Sequence, residues 1–212
     1  MILASQSPRR RELLLAAGFN LDVVPADIDE TRRPGETPVE LVARLAEEKA
    51  EAVMSSLTSA PGDGLLLAAD TIVWMGDEAL GKPADASDAA RMLRELSGRT
   101  HQVSTGVCVM CLAPDGSPAA KSCFVETTEV SFWQLTDAQI EAYVETGEPL
   151  DKAGAYGIQG AGRMLVSGIR GDYPNVVGLP VSRLIREISA LCEDGRDAVA
   201  DAIRKGASHA QR

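Results

Sequence analysis

Residues 65–75 read LLLAADTIVWM, an apolar run that predicts a strand buried in a sheet. A single charged residue, Asp70, stands inside this run. A buried carboxylate is costly unless it is paired, bound to a metal or used in catalysis. The alternative is an aspartate at a strand end that only hydrogen-bonds a neighbouring turn. We favour a functional role for Asp70.

The elements on either side of this run are predicted from capping residues, apolar periodicity and turn residues. Before it, these signals predict a strand at residues 1–5, a helix from Ser7-Pro8 to Gly18, a strand at about 20–25, and a helix from the capping box Thr37–Glu40 to about 56. After it, they predict a helix at about 86–97, a hairpin of strands 101–112 and 120–132, a helix from Thr136 to near Gly147, a strand near 163–170 and a helix at about 180–192.

Strands and helices alternate irregularly and include a hairpin, so we expect an α/β chain with a mixed sheet. A length of 212 residues suits one domain or two closely joined lobes. Beyond about residue 192, a short extension over 193–212 is expected to be partly helical or frayed.

Composition excludes several classes of protein. Hydrophobic residues make up 45% and charged residues 25% of the chain, as in ordinary globular proteins. Apolar runs stay short of the roughly 18 residues that a membrane span needs, and the N-terminus lacks a secretory pattern, so a cytoplasmic protein is expected. A net charge of −10 argues against a nucleic-acid or acidic-membrane partner.

Cys108 and Cys111 form a C-x-x-C within VCVMCL. Such spacing can indicate a redox pair or half of a zinc site. Here it lies in a predicted strand, where positions three apart point to opposite faces. We therefore expect buried thiols in a reducing compartment rather than a metal site.

The start of the first helix is a candidate anion site. Ser5, Ser7, Arg9 and Arg10 lie at its entrance, where free N–H groups and the helix dipole favour negative charge and arginines add bidentate contacts to phosphate. Composition alone favours a solvated face for the run from Arg9 to Arg11. The sequence contains no Walker motif.

Two lysines and a second carboxylate could complete such a site. Lys49 lies on the apolar stripe of its helix and Lys82 in the loop LGKP, although snorkelling and solvation are the commoner explanations. Glu30 and Asp70 could hold a hard cation such as Mg²⁺, with water and phosphate oxygens completing the coordination. Together these groups suit a magnesium-bound polyphosphate.

Six blocks occur in an order that resembles the Maf family of nucleoside triphosphate pyrophosphatases, once described as septum-formation inhibitors. They are LASQSPRRRELL (3–14), LLAADTIV (66–73), LGKPAD (80–85), LSGRTHQV (96–103), EPLDKAGAYGIQG (148–160) and NVVGLPV (175–181). The resemblance runs from about residue 2 to 190 and leaves only the C-terminal tail outside.

The resemblance implies a single catalytic domain over residues 1–192. Its fold would be elongated and related to the inosine triphosphate pyrophosphatases, with a twisted mixed sheet, flanking helices and a cleft between two lobes. The implied reaction splits the α–β anhydride of a nucleoside triphosphate into monophosphate and pyrophosphate, with Mg²⁺ or Mn²⁺ as cofactor. A homodimer is also expected.

The resemblance places the following residues on the family's cleft positions, with Asp70 as proton acceptor: Ser7, Arg10, Glu30, Lys49, Asp70 and Lys82. Ser5, in the same block as Ser7, is a further candidate for substrate binding.

Three positions separate the branches of the family, and Arg9, Thr71 and Gln159 match the branch that hydrolyses dTTP and UTP. The sister branch, similar to the 7-methyl-GTP pyrophosphatases, carries Trp, Gln and Glu there. An amide can accept from N3–H of a uracil-type ring and donate to its O4, whereas a carboxylate can only accept.

Two other functions compete with hydrolysis. A nucleotide-binding regulator of cell division would use the same residues to bind, with catalysis secondary. A phosphotransferase would require a second substrate, and the absence of a Walker or kinase signature disfavours it.

Overall fold

A computed structural model of the chain describes residues 1–191 and 198–209, with side chains as far as residue 206. Over these residues, seven strands form one sheet in the order β2-β1-β3-β5-β6-β7, and β4 pairs with β3. The strands are β1 (Ile2–Leu3), β2 (Asp22–Val23), β3 (Leu65–Met75), β4 (Glu78–Leu80), β5 (Thr100–Leu112), β6 (Pro118–Phe132) and β7 (Val166–Arg170).

The helices described are α1 (Pro8–Ala16), α2 (Pro38–Ser56), α3 (Ala86–Leu96), α4 (Asp137–Glu145), α5 (Tyr173–Val177), α6 (Val181–Leu191) and α7 (Ala198–His209). Three short 3-10 segments lie at Glu148–Asp151, Ala153–Ala155 and Ala161–Leu165. β1 runs parallel to β2 and β3, whereas the pairs β3–β4 and β6–β7 are antiparallel. The predicted α/β class with a mixed sheet is therefore confirmed.

The chain divides into two compact units; three of the boundaries between them fall inside β3, β5 and β6, and the fourth falls directly after α5. The first unit contains Met1–Asp70, Thr105–Val125 and the described residues from Gly178 onward. The second contains Thr71–Ser104 and Glu126–Val177.

The sheet of the first unit is buried on both faces. Leu65, Leu67 and Ala69 join one apolar cluster, and Leu66 and Ala68 join another that includes Ala46, Ala50 and Val53 of α2. Successive side chains of a strand point to opposite faces, so this alternation explains why LLLAA is continuously apolar. Asp70 continues the series of Leu66 and Ala68, on the face that α2 covers.

Gly106 of β5 allows α2 to approach the sheet closely. A Cβ atom at this position would overlap the backbone carbonyl of Val42. A glycine inside a strand often marks such a close backbone approach.

Three rings pack edge to face in the second unit. His101, Phe132 and Tyr156 have centroids 4.9–5.3 Å apart, and Nε2 of His101 lies 2.9 Å from the Tyr156 hydroxyl. His101 is fully buried, and burial lowers its pKa to about 4. The imidazole is therefore neutral at physiological pH.

Some predicted boundaries are wrong. The second strand covers only Asp22–Val23 instead of 20–25, and the strand predicted near 163–170 begins at Val166. Residues 161–165 form a 3-10 segment because the N–H groups of Ala161 and Gly162 are directed to the Glu148 carboxylate rather than to a neighbouring strand. β4 and α5 were not predicted.

The C-terminal tail contains a helix that packs on the first unit. A Cβ atom at Gly18 would contact the Lys205 side chain, and one at Gly206 would lie 3.3 Å from the carbonyl oxygen of Ala16. α7 therefore lies against the end of α1. Residues 192–197, which include Cys192, and residues 210–212 lie outside the described residues.

Cys108 and Cys111 belong to opposite faces of β5, as predicted, since Cys108 joins the cluster beneath α2 and Cys111 packs against the other. Cys108 is buried as predicted, whereas Cys111 is only half-buried and Cys123 is exposed; none of the three forms a disulfide among the described residues. Among the described helices, none is long and apolar enough to cross a membrane.

Candidate active site

Two serines shape the turn from β1 into α1. The Ser7 hydroxyl caps α1 by accepting from the Arg10 N–H at 3.4 Å, and Pro8 occupies the first helical turn. The Ser5 hydroxyl accepts from the Ser7 N–H at 3.2 Å. The predicted helix entrance is confirmed, with both hydroxyls at the end of a parallel strand, where ligands commonly bind in α/β sheets.

Arg10 is buried, so the solvated face that composition favours is wrong for this residue. Its Nε donates to the Gly178 carbonyl at 2.8 Å, and its Nη1 donates to the Ser5 hydroxyl at 3.0 Å. Burial lowers the pKa of Arg10, an effect that Asp70 and Glu30 oppose and Arg9 strengthens. Guanidinium groups nevertheless stay charged in proteins, so this site has a fixed cation.

Gly178 is a positioning group that the local pattern did not reveal. Its φ of 132° lies in the region that favours glycine, and its carbonyl contacts a guanidinium 168 positions away in the chain. Its presence in the block NVVGLPV was the available signal.

Lys49 contacts both of the predicted carboxylates, Glu30 and Asp70. Its Nζ lies 2.6 Å from Oδ1 of Asp70 and 2.7 Å from Oε1 of Glu30. Lys49 is buried on α2, directly over the face of β3 that carries Asp70. This lysine is therefore paired rather than snorkelling.

The loop that carries Glu30 is held by Arg44 of α2. Nη2 of Arg44 donates to the Thr31 carbonyl at 3.1 Å, and its Nε lies 2.6 Å from Oε1 of Glu36. Hydrogen bonding by Arg44 lowers the pKa of Glu36 to about 2. The sequence analysis missed Arg44, which acts on the site only through this loop.

The site in the first unit combines two buried cations with two carboxylates of different exposure. The side chain of Asp70 is 18% exposed and that of Glu30 is 60% exposed. Both carboxylates converge on the Lys49 ammonium nitrogen, which occupies the position between them. Oxygen donors of this kind suit Mg²⁺ or Mn²⁺.

Of the remaining predicted residues, Arg9 is half-buried in α1 of the first unit, and the other three belong to the second unit. Thr71 is half-buried in β3, Lys82 is exposed in the loop after β4, and Gln159 is exposed between two 3-10 segments. The N–H of Gly154 donates to the Gly81 carbonyl at 3.0 Å, so the loop that carries Lys82 is anchored to the 3-10 segment that precedes Gln159.

Comparison with solved structures finds the Ham1 protein of Staphylococcus aureus, with a TM-score of 0.42 and 16% identity. The alignment covers 62% of this chain and 70% of that one, a similarity too partial to add to the description of the fold.

Comparison with curated proteins finds enzymes named dTTP/UTP pyrophosphatase. The protein of Anaeromyxobacter dehalogenans strain 2CP-C is 56% identical over 86% of this chain and 89% of its own length. Those of Bacillus cytotoxicus and Bacillus anthracis are 48% and 47% identical, over 88% and 89% of this chain and 93% of their own lengths. The family profile described as Maf-like protein matches residues 1–191. The chain therefore belongs to the Maf family.

Proposed function

We propose that this protein hydrolyses dTTP and UTP to the nucleoside monophosphate and pyrophosphate. The observation that carries the proposal is the convergence of Glu30 and Asp70 on Lys49, in a chain about half identical to enzymes named dTTP/UTP pyrophosphatase. The buried Arg10 guanidinium and the α1 N-terminus add positive charge for phosphate groups.

Glu30 and Asp70 fit a divalent cation. Mg²⁺ commonly binds through one or two carboxylates and takes its other ligands from water and substrate phosphates. Glu30 and Asp70 would hold the ion, with water and substrate phosphates as its other ligands. When bound, Mg²⁺ or Mn²⁺ would neutralise phosphate charge and polarise the reacting phosphoryl group.

The protein's own residues would position the substrate and move one proton. Asp70 accepts the proton of the water that attacks the α-phosphorus. The bond from the α-phosphorus to the bridging oxygen breaks, and pyrophosphate leaves. Arg10, Lys49 and Lys82 stabilise the negative charge on the bridging and departing oxygens, as expected for a reaction that depends on positioning and electrostatics.

The base would be recognised by Gln159, with contributions from Thr71 and Arg9. The Gln159 amide can accept from N3–H of a uracil-type ring and donate to its O4. Ser5 and Ser7 would bind phosphate oxygens at the entrance of α1.

A pyrophosphate-release assay over the common nucleoside triphosphates tests this function, with Mg²⁺, Mn²⁺ or excess chelator. We expect preferential turnover of dTTP and UTP and its loss in chelator. Binding without turnover would instead support a nucleotide-binding regulator, and dependence on a second substrate would support a phosphotransferase. The expected homodimer is tested separately by sedimentation.

A further inference from the structure

Residues 157–162 form a loop that carries Gln159 and is held at both ends by two side chains. Glu148 accepts from the Ala161 N–H at 2.8 Å through Oε2 and from the Gly162 N–H at 3.3 Å through Oε1. The Tyr143 hydroxyl accepts from the Gly157 N–H at 3.0 Å and donates to Oε1 of Glu148 at 2.9 Å. One carboxylate–phenol pair thus anchors the whole loop.

Three glycines of the loop leave room for the side chains of Glu148 and Tyr143. A Cβ atom at Gly160 would overlap the Glu148 carboxylate, and one at Gly162 would lie 2.7 Å from the Tyr143 hydroxyl oxygen. At Gly157 a Cβ atom would lie 3.1 Å from Oε1 of Glu148. Missing side chains at three positions therefore let the loop backbone close around the carboxylate.

The protonation states of Glu148 and Tyr143 favour strong hydrogen bonds between these side chains and the loop. Burial tends to raise the pKa of Glu148, but the Ala161 N–H, the Tyr143 hydroxyl and the Gly162 N–H outweigh this effect and lower it. Burial raises the pKa of Tyr143, which keeps its hydroxyl as a donor. Hydrogen bonds to an ionised carboxylate are shorter and stronger than those between neutral groups.

The backbone of Glu148 is itself fixed. Its N–H donates to the Thr146 hydroxyl at 3.1 Å, and its carbonyl accepts from Nζ of Lys152 at 2.8 Å. These two bonds hold the Glu148 backbone in place, and neither of them involves residues 157–162.

We propose that Glu148 and Tyr143 are positioning residues that hold Gln159 ready to bind a pyrimidine, and that they contribute to selectivity without contacting the substrate. This inference rests on the proposed function, in which Gln159 recognises the base. A preformed loop would bind the base without the cost of ordering it first, so loosening the loop would weaken pyrimidine binding selectively.

Glu148→Gln and Tyr143→Phe test the inference, with Glu145→Gln at the exposed end of α4 as the control. The glutamine places an NH2 group against backbone donors, and the phenylalanine removes the hydroxyl between Gly157 and Glu148. We expect KM for UTP to rise about tenfold in both variants, with kcat nearly unchanged and kcat/KM for GTP unaffected. The control variant should match wild type.

A double variant separates positioning from general structural damage. In a Gln159→Ala background, Glu148→Gln should have little further effect on UTP, because the side chain that it positions is gone. Additive losses, or equal losses for UTP and GTP, would overturn the inference.

Amide hydrogen exchange of the ligand-free protein gives a second readout that needs no activity. Residues 157–162 should exchange faster in both variants than in wild type or the Glu145→Gln control. If the amide exchange of residues 157–162 is unchanged in both variants, the inference is overturned regardless of the kinetic results. If wild type releases no pyrophosphate from UTP, the proposed function fails, and exchange alone decides whether the pair fixes the loop.

Discussion

At the scale of single residues, Asp70 combines two properties that rarely occur together. It continues an apolar strand beneath α2, and its carboxylate retains access to solvent with 18% of the side chain exposed. The short contact with Lys49 keeps its orientation defined. A carboxylate held in this way can accept a proton from a water molecule at a fixed position.

Asp70→Asn should preserve the shape of this site while removing the proton acceptor. A general base contributes about 10²–10⁴-fold to rate, so we expect kcat to fall by that range. Circular dichroism and the thermal midpoint report whether the fold is kept. Near-normal turnover would exclude Asp70 as the base.

His101 gives a residue-scale prediction about pH. Its pKa is about 4 in the folded protein against 6.5 in the unfolded chain, so the unfolded state binds the proton first as pH falls. The stability that this group contributes is complete above pH 6.5 and is lost as pH falls towards 4. Between pH 7.5 and 4.5 we expect a loss on the order of 2 kcal/mol.

Urea unfolding of wild type and His101→Gln at both pH values isolates this contribution from that of the carboxylates. The variant lacks the titrating ring, so its free energy of unfolding should fall less between the two pH values. Equal losses in the two proteins would show that His101 is not held neutral by burial.

At the scale of elements, α2 organises the site in the first unit. Its N-terminus is fixed by the reciprocal hydrogen bonds of Thr37 and Glu40, and it carries both Lys49 and Arg44. Arg44 holds the loop that contains Glu30, whereas Lys49 contacts the carboxylates. The distance between α2 and the sheet therefore bears directly on the geometry of the site.

Gly106→Ala tests the importance of that distance. The added methyl group would meet the Val42 carbonyl, so the helix must shift, and we expect a destabilisation of about 1–3 kcal/mol. Activity should fall in parallel because Lys49 moves with α2. Gly168→Ala is the matched control, since a Cβ atom there meets no atom within 4 Å. A fully active, equally stable Gly106→Ala protein would contradict this account of α2 packing.

At the scale of the whole molecule, the first unit is assembled from three separate stretches of chain. Local patterns predicted the strand around Asp70, the capping boxes of α2 and α4, and the entrance of α1, because caps and apolar alternation depend on near neighbours. They could not show that Lys49 pairs with Glu30 and Asp70, or that Gly178 contacts Arg10. Those contacts depend on how distant segments meet, which periodicity does not encode.

The triad of Glu30, Lys49 and Asp70 also bears on how the protein behaves before it meets any ligand. Two neighbouring carboxylates repel each other, and many metal sites rely on the ion itself to offset that repulsion during folding. Here an ammonium group from the same chain supplies the counter-charge. The fold of this region therefore contains its own counter-charge, and under the proposed function removal of the divalent cation would abolish activity without unfolding the protein.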